Sequence, residues 1–405
     1  MAVAAVAVTT WHVTSFAVTS SPADSLNPAR KIPSEPKEAE IEASVRNLEQ
    51  MLRTCRDPNA AYKIRYTKAT LYFRANRMEQ SKSEFDRIVH EPHCPNSITI
   101  YACNMIGQIA QIQEEYPQAL DTFDRTAKLV QQYVSADVND PNNAALIHVG
   151  ASALLARARI CFLDENYSAA LSEYDRLLSA QDHFKWPQEY AAMALDHIGQ
   201  LHLRQHNIEK YFETAQRLTT SHPRYYRTPL VALESECVKL LLAVGHPCDF
   251  TCGALNAPAA VIEYFKEPLN RASASDISEK FRTLIRRYPM GYGTFLLQYH
   301  YAWLLDTLGR KDEAEAIFAG ISGSELLDIS PGSPQKIIID TIRQYAKIQY
   351  AILLAEKADY KSSEKILSTV QSGPHNSHLS KLTQSVIENV QILKREVSGH
   401  DNKKQ

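Results

Sequence analysis

An all-α fold, an α-solenoid of stacked antiparallel helix pairs, is what this 405-residue sequence predicts, on three observations. Glycine is scarce: 13 of 405 residues, about 3%, is under half the roughly 7% usual in proteins, which argues against barrels, propellers and nucleotide-binding sheets. Past Glu38 the apolar residues keep a helical period over runs of roughly 12–18 residues, with no alternating strand pattern between them. An aromatic–acid–base triplet then recurs three times, as Phe85-Asp86-Arg87, Phe123-Asp124-Arg125 and Tyr174-Asp175-Arg176.

The chain opens on an apolar stretch. Its first charged side chain is Asp24, and residues 2–18 form an apolar core followed by Ser21-Pro22-Ala23 as a small-residue exit, in the manner of a signal peptide. The basic start of such a peptide is missing, so two readings stand. Either residues 1–23 direct export to a periplasm, with proximity to a membrane, or the chain is cytoplasmic with its first residues intact. The stretch is too short and too rich in Thr to span a bilayer. Pro22, Pro28, Pro33 and Pro36 make the rest of residues 1–37 an extended linker.

Residues 38–244 read as a helical array. Sixteen residues before each triplet aromatic stands Ala69, Gly107 or Ala158, and twelve after each of these stands Ser81, Ala119 or Ala170. Between them come Met78, Tyr116 and Tyr167. The template returns as Gly199, Ile208, Tyr211 and Ala215, as Ala302, Lys311, Ala314 and Phe318, and as Ala351, Tyr360, Ser363 and Leu367. Antiparallel helices approach closely only where Gly or Ala meets a second small residue, and the aromatic fills the gap to the next pair. Residues 245–275 break the pattern. Gly245, Pro247, Gly253, Pro258 and Pro268 deny a continuous helix there, so the segment is read as an irregular connector between two arms. Ser273, Ser275 and Asp276 supply cap residues, and Phe281 to Tyr288 reads as a second helix whose first partner has degenerated. The second array, 276–396, closes on a capping helix near 377–396, and 397–405 is a polar tail.

These residues resemble the tetratricopeptide repeat (TPR), a helix–turn–helix unit of about 34 residues that buries its apolar face only by stacking. Ala102 to Lys128 is the clearest unit, with Gly107, Tyr116, Ala119 and Phe123 in the family's marked places. Residues 60–95, 144–180, 191–223, 294–321 and 344–370 follow it. Steps of 38 and 51 residues between the triplets exceed the family's length because loops such as 131–143 are inserted, and Trp11, Trp186 and Trp303 occupy no common place. The resemblance implies a concave groove lined by the first helix of each pair. Its groove-facing places fall here on Lys63, Tyr66, Phe73, Arg74, Tyr101, Asn104, Gln108, Gln111, Arg159, Phe162, Asp196, Gln200 and Arg204. It also implies a peptide or partner helix as ligand and a scaffold without catalysis. Where some members clamp a C-terminal carboxylate, this chain has Tyr66, Thr70, Met105, Ser152 and Ala156, so that clamp is not expected.

Composition narrows the function further. Hydrophobic residues make up 44% and charged residues 22%, which excludes a disordered chain and a polytopic membrane protein. Lys and Arg number 44 against 46 acids, a net −2 that speaks against nucleic acid as the partner. Seven cysteines, odd in number and sparse, exclude a disulfide framework. Cys248 and Cys252, with His246 beside them, are weak metal candidates, and a local disulfide or two unrelated thiols are the competing readings. His90-Glu91-Pro92-His93-Cys94 reads as a solvated loop. No phosphate-binding loop, nucleophile elbow or His-Glu-x-x-His pair occurs, so no catalytic residue, cofactor or small-molecule substrate is expected. Tyr225-Tyr226-Arg227 and Tyr299-His300-Tyr301 are candidates for recognition or for helix packing, with packing favoured at Tyr301. The first functional reading is thus a protein–protein interaction scaffold. The alternatives are an exported bacterial cell-envelope protein acting in outer-membrane or envelope assembly, and an enzyme on an all-helical scaffold.

Overall fold

The computed structural model describes residues 38–134, 143–184, 186–245, 257–289, 292–324, 334–370 and 377–401. Every regular element among them is helical, and they divide into two compact units between Leu201 and His202. The signal-like segment and linker, together with His246, Cys248 and Cys252, lie outside the described residues.

The N-terminal unit begins with α1 (Glu38–Thr54), α2 (Pro58–Arg74), α3 (Met78–His90), α4 (Asn96–Ile112) and α5 (Tyr116–Val134). It continues through α6 (Ala144–Leu163), α7 (Tyr167–Phe184) and most of α8 (Gln188–Arg204). Helix α1 lays Ile41 and Val45 on Tyr72. Asp57 starts α2 as its N-cap, its carboxylate accepting from the Asn59 N–H. Each pair is then closed by the template residues. Ala69 and Phe85 are fully buried, as are Ala119, Ala158, Ala170 and Tyr174. Gly107 is glycine for steric reasons: a Cβ there would stand 2.8 Å from the Phe123 ring. Ser81 is buried too, and its hydroxyl donates to the Ala69 carbonyl at 2.8 Å. The buried Lys68 ammonium pairs with Glu84 at 3.2 Å and Glu49 at 3.1 Å, joining α1, α2 and α3. Helix α6 is the one described helix long and apolar enough to cross a membrane, and more than half of that stretch is buried in the protein. Leu146, Leu154 and Ile160 show it to be a core helix.

The turns inside the pairs share one backbone. Asn76, Glu114, Glu165, His206, Gly309 and Ala358 all have positive φ, from 56° to 79°. Each stands seven residues after the small residue of its first helix. In each, the next N–H reaches back five residues: Arg77 to Tyr72 at 2.9 Å, Glu115 to Ala110 at 2.8 Å, Asn166 to Cys161 at 2.9 Å, Asn207 to His202 at 2.8 Å, Arg310 to Leu305 at 2.8 Å and Asp359 to Leu354 at 2.9 Å. This is the left-handed helix stop, which satisfies carbonyls that the helix end would otherwise strand.

The C-terminal unit holds α9 (Ile208–Ser221), α10 (Thr228–Ala243), α11 (Ala257–Tyr264), a 3-10 turn (Pro268–Ser273), α12 (Ala274–Arg287), α13 (Tyr292–Thr307), α14 (Lys311–Gly323), α15 (Pro334–Glu356), α16 (Tyr360–Leu367) and α17 (Ser377–Asp401). The pairs α13–α14 and α15–α16 follow the template, with Ala302, Ala314, Phe318 and Ala351 fully buried. Ser363 repeats the bond of Ser81, donating to the Ala351 carbonyl at 2.8 Å. Helix α17 packs on α15 and α16 through Leu379, Val386 and Val390, and it runs to Asp401, into the residues read as a tail.

The segment read as a connector differs from expectation in its described part. Helix α11 buries Val261, and Phe265 just beyond it is also fully buried, both in the core cluster that holds Val238 of α10 and Phe281 of α12. Helix α10 packs directly on α12 and α13. Residues 257–273 are therefore an excursion between two helices that meet each other. The division between compact units falls at Leu201–His202, within α8, two residues past Gly199, where the helix continues without a break.

Candidate functional site

The candidate surface lies on the first helices of the N-terminal unit. Burying Ala69 on α2 and Gly107 on α4 against the second helix sets the roll of each first helix. Tyr101, Asn104, Gln108 and Gln111 then share one face, by their spacing of three, four and three.

Lys63 and Arg74 are exposed, whereas Tyr66, Phe73, Tyr101, Gln108, Gln111, Arg159, Phe162, Gln200 and Arg204 are half-buried. Asn104 and Asp196 are buried. Two groupings form. On α2 and α4, Tyr66 stands edge-on to Tyr101 at 6.3 Å and to the buried Phe85 at 5.4 Å. Burial, with the neighbouring Tyr101, pushes the Tyr66 phenol up to about 12, and burial raises Tyr101 as well. Both hydroxyls thus stay protonated and able to donate. On the other grouping, Arg159 and Asp196 both act on the Tyr174 hydroxyl, which burial raises well above its ordinary range and which lies 2.7 Å from His197 Nδ1. Phe162 instead turns to Tyr167 at 6.1 Å, beside the α6–α7 turn. Arg204 falls beyond the division at Leu201–His202.

An ion-pair network that spacing alone did not reveal joins α5, α6 and α7. Asp124 accepts from Arg176 at 2.8 Å and pairs with Lys128 at 2.6 Å. Arg157 donates to Glu173 at 2.6 Å and to the Leu120 carbonyl at 2.7 Å. Burial alone would raise the Asp124 carboxyl, but hydrogen bonds from Lys128 and Arg176 and the Arg157 charge hold it below the usual range. Its central contact joins two of the triplets, the acid of the second, Asp124, meeting the base of the third, Arg176.

The other candidates resolve as packing. Tyr225 is buried edge-on to Tyr226 at 4.7 Å. Tyr299 meets Phe318 at 6.0 Å, Tyr301 stacks on Phe281 at 5.6 Å, and burial holds His300 down at about 4. His93 is exposed and Cys94 half-buried. Among the described residues no three His, Cys, Asp or Glu side chains gather as a metal site.

No protein-family model matches the chain, and no curated protein matches it. Similar solved structures include a tetratricopeptide repeat protein from Parabacteroides merdae, 16% identical, covering 80% of this chain and 98% of that one with a TM-score of 0.36. The TPR domain of P58(IPK) is 13% identical over 88% and 99% of the two chains, with a TM-score of 0.30. The TPR2AB domain of yeast Sti1, solved in complex with pHSP90, is 14% identical over 74% and 98%, with a TM-score of 0.28. The common turn, the small residue seven places before it and the buried plug nine places after it are properties of this chain itself. On that internal repetition the described residues form an all-α array of TPR-like helix pairs.

Proposed function

We propose that the N-terminal unit is a protein-interaction scaffold whose first helices bind a peptide or a partner helix. The observation that carries this reading is the Tyr66–Tyr101 pair. Two protonated phenols stand half-exposed on neighbouring first helices, on a face that also holds Lys63, Gln108 and Gln111. Tyrosines of this kind offer apolar area at low entropic cost and a hydroxyl donor for a peptide carbonyl. The amides of Gln108 and Gln111 supply both donors and acceptors for an extended backbone, and Lys63 and Arg74 favour acidic character in the ligand. The outer-membrane and envelope alternative rests on residues 1–23, and the enzyme alternative has no motif to support it.

Affinity capture from native lysate tests the proposal, with the intact protein and a Tyr101→Ala plus Gln108→Ala variant side by side. These two residues are chosen because Asn104 is buried and its removal would confound binding with folding. Proteins retained by the intact chain and lost from the variant, at equal melting temperature, are the expected result. Identical retention by both would remove the groove from consideration.

A further inference from the structure

Helices α12, α13 and α14 of the C-terminal unit leave an open groove of about 300 Å³, lined by none of the residues assigned to peptide binding above. Its floor is apolar: Ile285 of α12, Ile317 and Ile321 of α14, and the ring of Tyr301 from α13. That volume is at the small end for a binding cleft and suits one or two side chains better than a cofactor.

Gly320 lines the groove from α14. This glycine lies within α14 without a positive φ, and a Cβ added to it would meet nothing within 4 Å. Neither backbone geometry nor packing calls for glycine there, and within a helix it costs about 1 kcal/mol relative to alanine. A side chain longer than a methyl at this position would enter the groove.

The rim carries one sign of charge. Both charged residues that line the groove are arginines, Arg282 and Arg286. Arg282 is anchored: its Nε donates to the Tyr301 hydroxyl at 2.8 Å, and Glu279 at 3.4 Å and Glu313 at 3.8 Å balance it. Arg286 is 74% exposed, and Glu279 is 3.7 Å away on the same helix. Arg287 adds a third cation in the same turn, over the Tyr288 ring. Gln298 completes the lining with an amide that can take a peptide N–H or C=O.

We propose that this groove docks an acidic–apolar peptide segment of a partner protein, with an aliphatic or aromatic side chain seated on the isoleucines beside Gly320 and a neighbouring carboxylate on Arg286. The charge of the rim selects the occupant. An apolar floor alone would accept many segments, but two arginines and no lining acid disfavour a basic one.

The test is fluorescence anisotropy on the full chain with a labelled peptide in which Leu and Phe alternate with Asp and Glu. A second peptide replaces the acids by Lys. The expected result is saturable binding of the acidic peptide only. Gly320→Leu, which fills the groove, and Arg286→Glu, which reverses its exposed charge, should each weaken that binding by about tenfold or more. Both changes fall at open positions, so neither should lower the melting temperature, and Gly320→Ala should bind as the unaltered chain does or slightly less well. Tyr101→Ala plus Gln108→Ala should leave this binding intact. The proposal is overturned by absent binding, by equal binding of the basic peptide, by full binding to Gly320→Leu, or by loss of binding in the Tyr101 and Gln108 variant.

Discussion

Ala358 holds a φ of 64° in the α15–α16 turn, where the corresponding residue of the α13–α14 turn is Gly309 at 79°. A side chain in this region crowds its own backbone, at a cost of roughly 1–2 kcal/mol, and Ala358 is exposed with nothing to gain from its methyl. Ala358→Gly should therefore raise stability by about 0.5–1 kcal/mol once glycine's extra unfolded-state freedom is deducted. Thermal denaturation checks this, with Gly309→Ala as the mirror experiment, expected to lower the midpoint. His300 makes a second residue-scale prediction. Burial holds its imidazole at about 4, below the 6.5 of a solvated one, so the unfolded chain takes up a proton first. Stability that is complete above pH 6.5 should fall as pH drops through 6.5 toward 4. His222, also depressed by burial and by Arg217, acts in the same direction. His300→Gln should flatten the dependence of the unfolding midpoint on pH in that window, and an unchanged slope would show the ring to be open to solvent.

The helix pair is the element of this fold, and its interior was the most legible part of the sequence. Gly107, Ala119 and Phe123 could be placed because the contact they make is local, within one hairpin. With the Phe123 ring 2.8 Å from where a Cβ would sit, Gly107→Leu should cost at least the roughly 1–3 kcal/mol of an overpacked core. Phe123→Leu in the same chain should recover part of the loss, and a double-mutant cycle by chemical denaturation measures the coupling. Relations between pairs were harder to read. Asp124 meets Arg176 directly across 52 residues, with Arg157 of the helix between also 3.4 Å from it, and helical periodicity carries no such distance. Thr228 and Thr294 share a local contact, their hydroxyls donating to the carbonyls six residues before them, His222 at 2.7 Å and Tyr288 at 2.5 Å. The helix template does not include this repetition, and the first of the two closes the loop around Pro223 between α9 and α10. On the candidate surface, the places taken from the repeat resemblance include Tyr66 and Tyr101, which stand together, but they mix exposed Lys63 with buried Asn104 and Asp196.

For the molecule as a whole, prolines and glycines drew attention to 245–275, while the units divide at Leu201–His202. Helix breakers report where a helix stops and say nothing about what packs across the gap. Phe265 decides between the two descriptions. If 257–273 belongs to the core of the C-terminal unit, Phe265→Ala should cost about 3–5 kcal/mol, as for other fully buried aromatics. Differential scanning calorimetry should then show the transition of the C-terminal unit moving to lower temperature while that of the N-terminal unit stays. A connector between two arms would leave both transitions in place. The closed turns carry a mechanical corollary. Among the described residues each pair turns on backbone bonds spanning five residues, and the helices pack mainly on their neighbours in the chain, so tension along the chain meets short contacts in series. Such a protein lengthens under load one hairpin at a time, behaving as a graded spring where a globule of equal size would yield in one rupture.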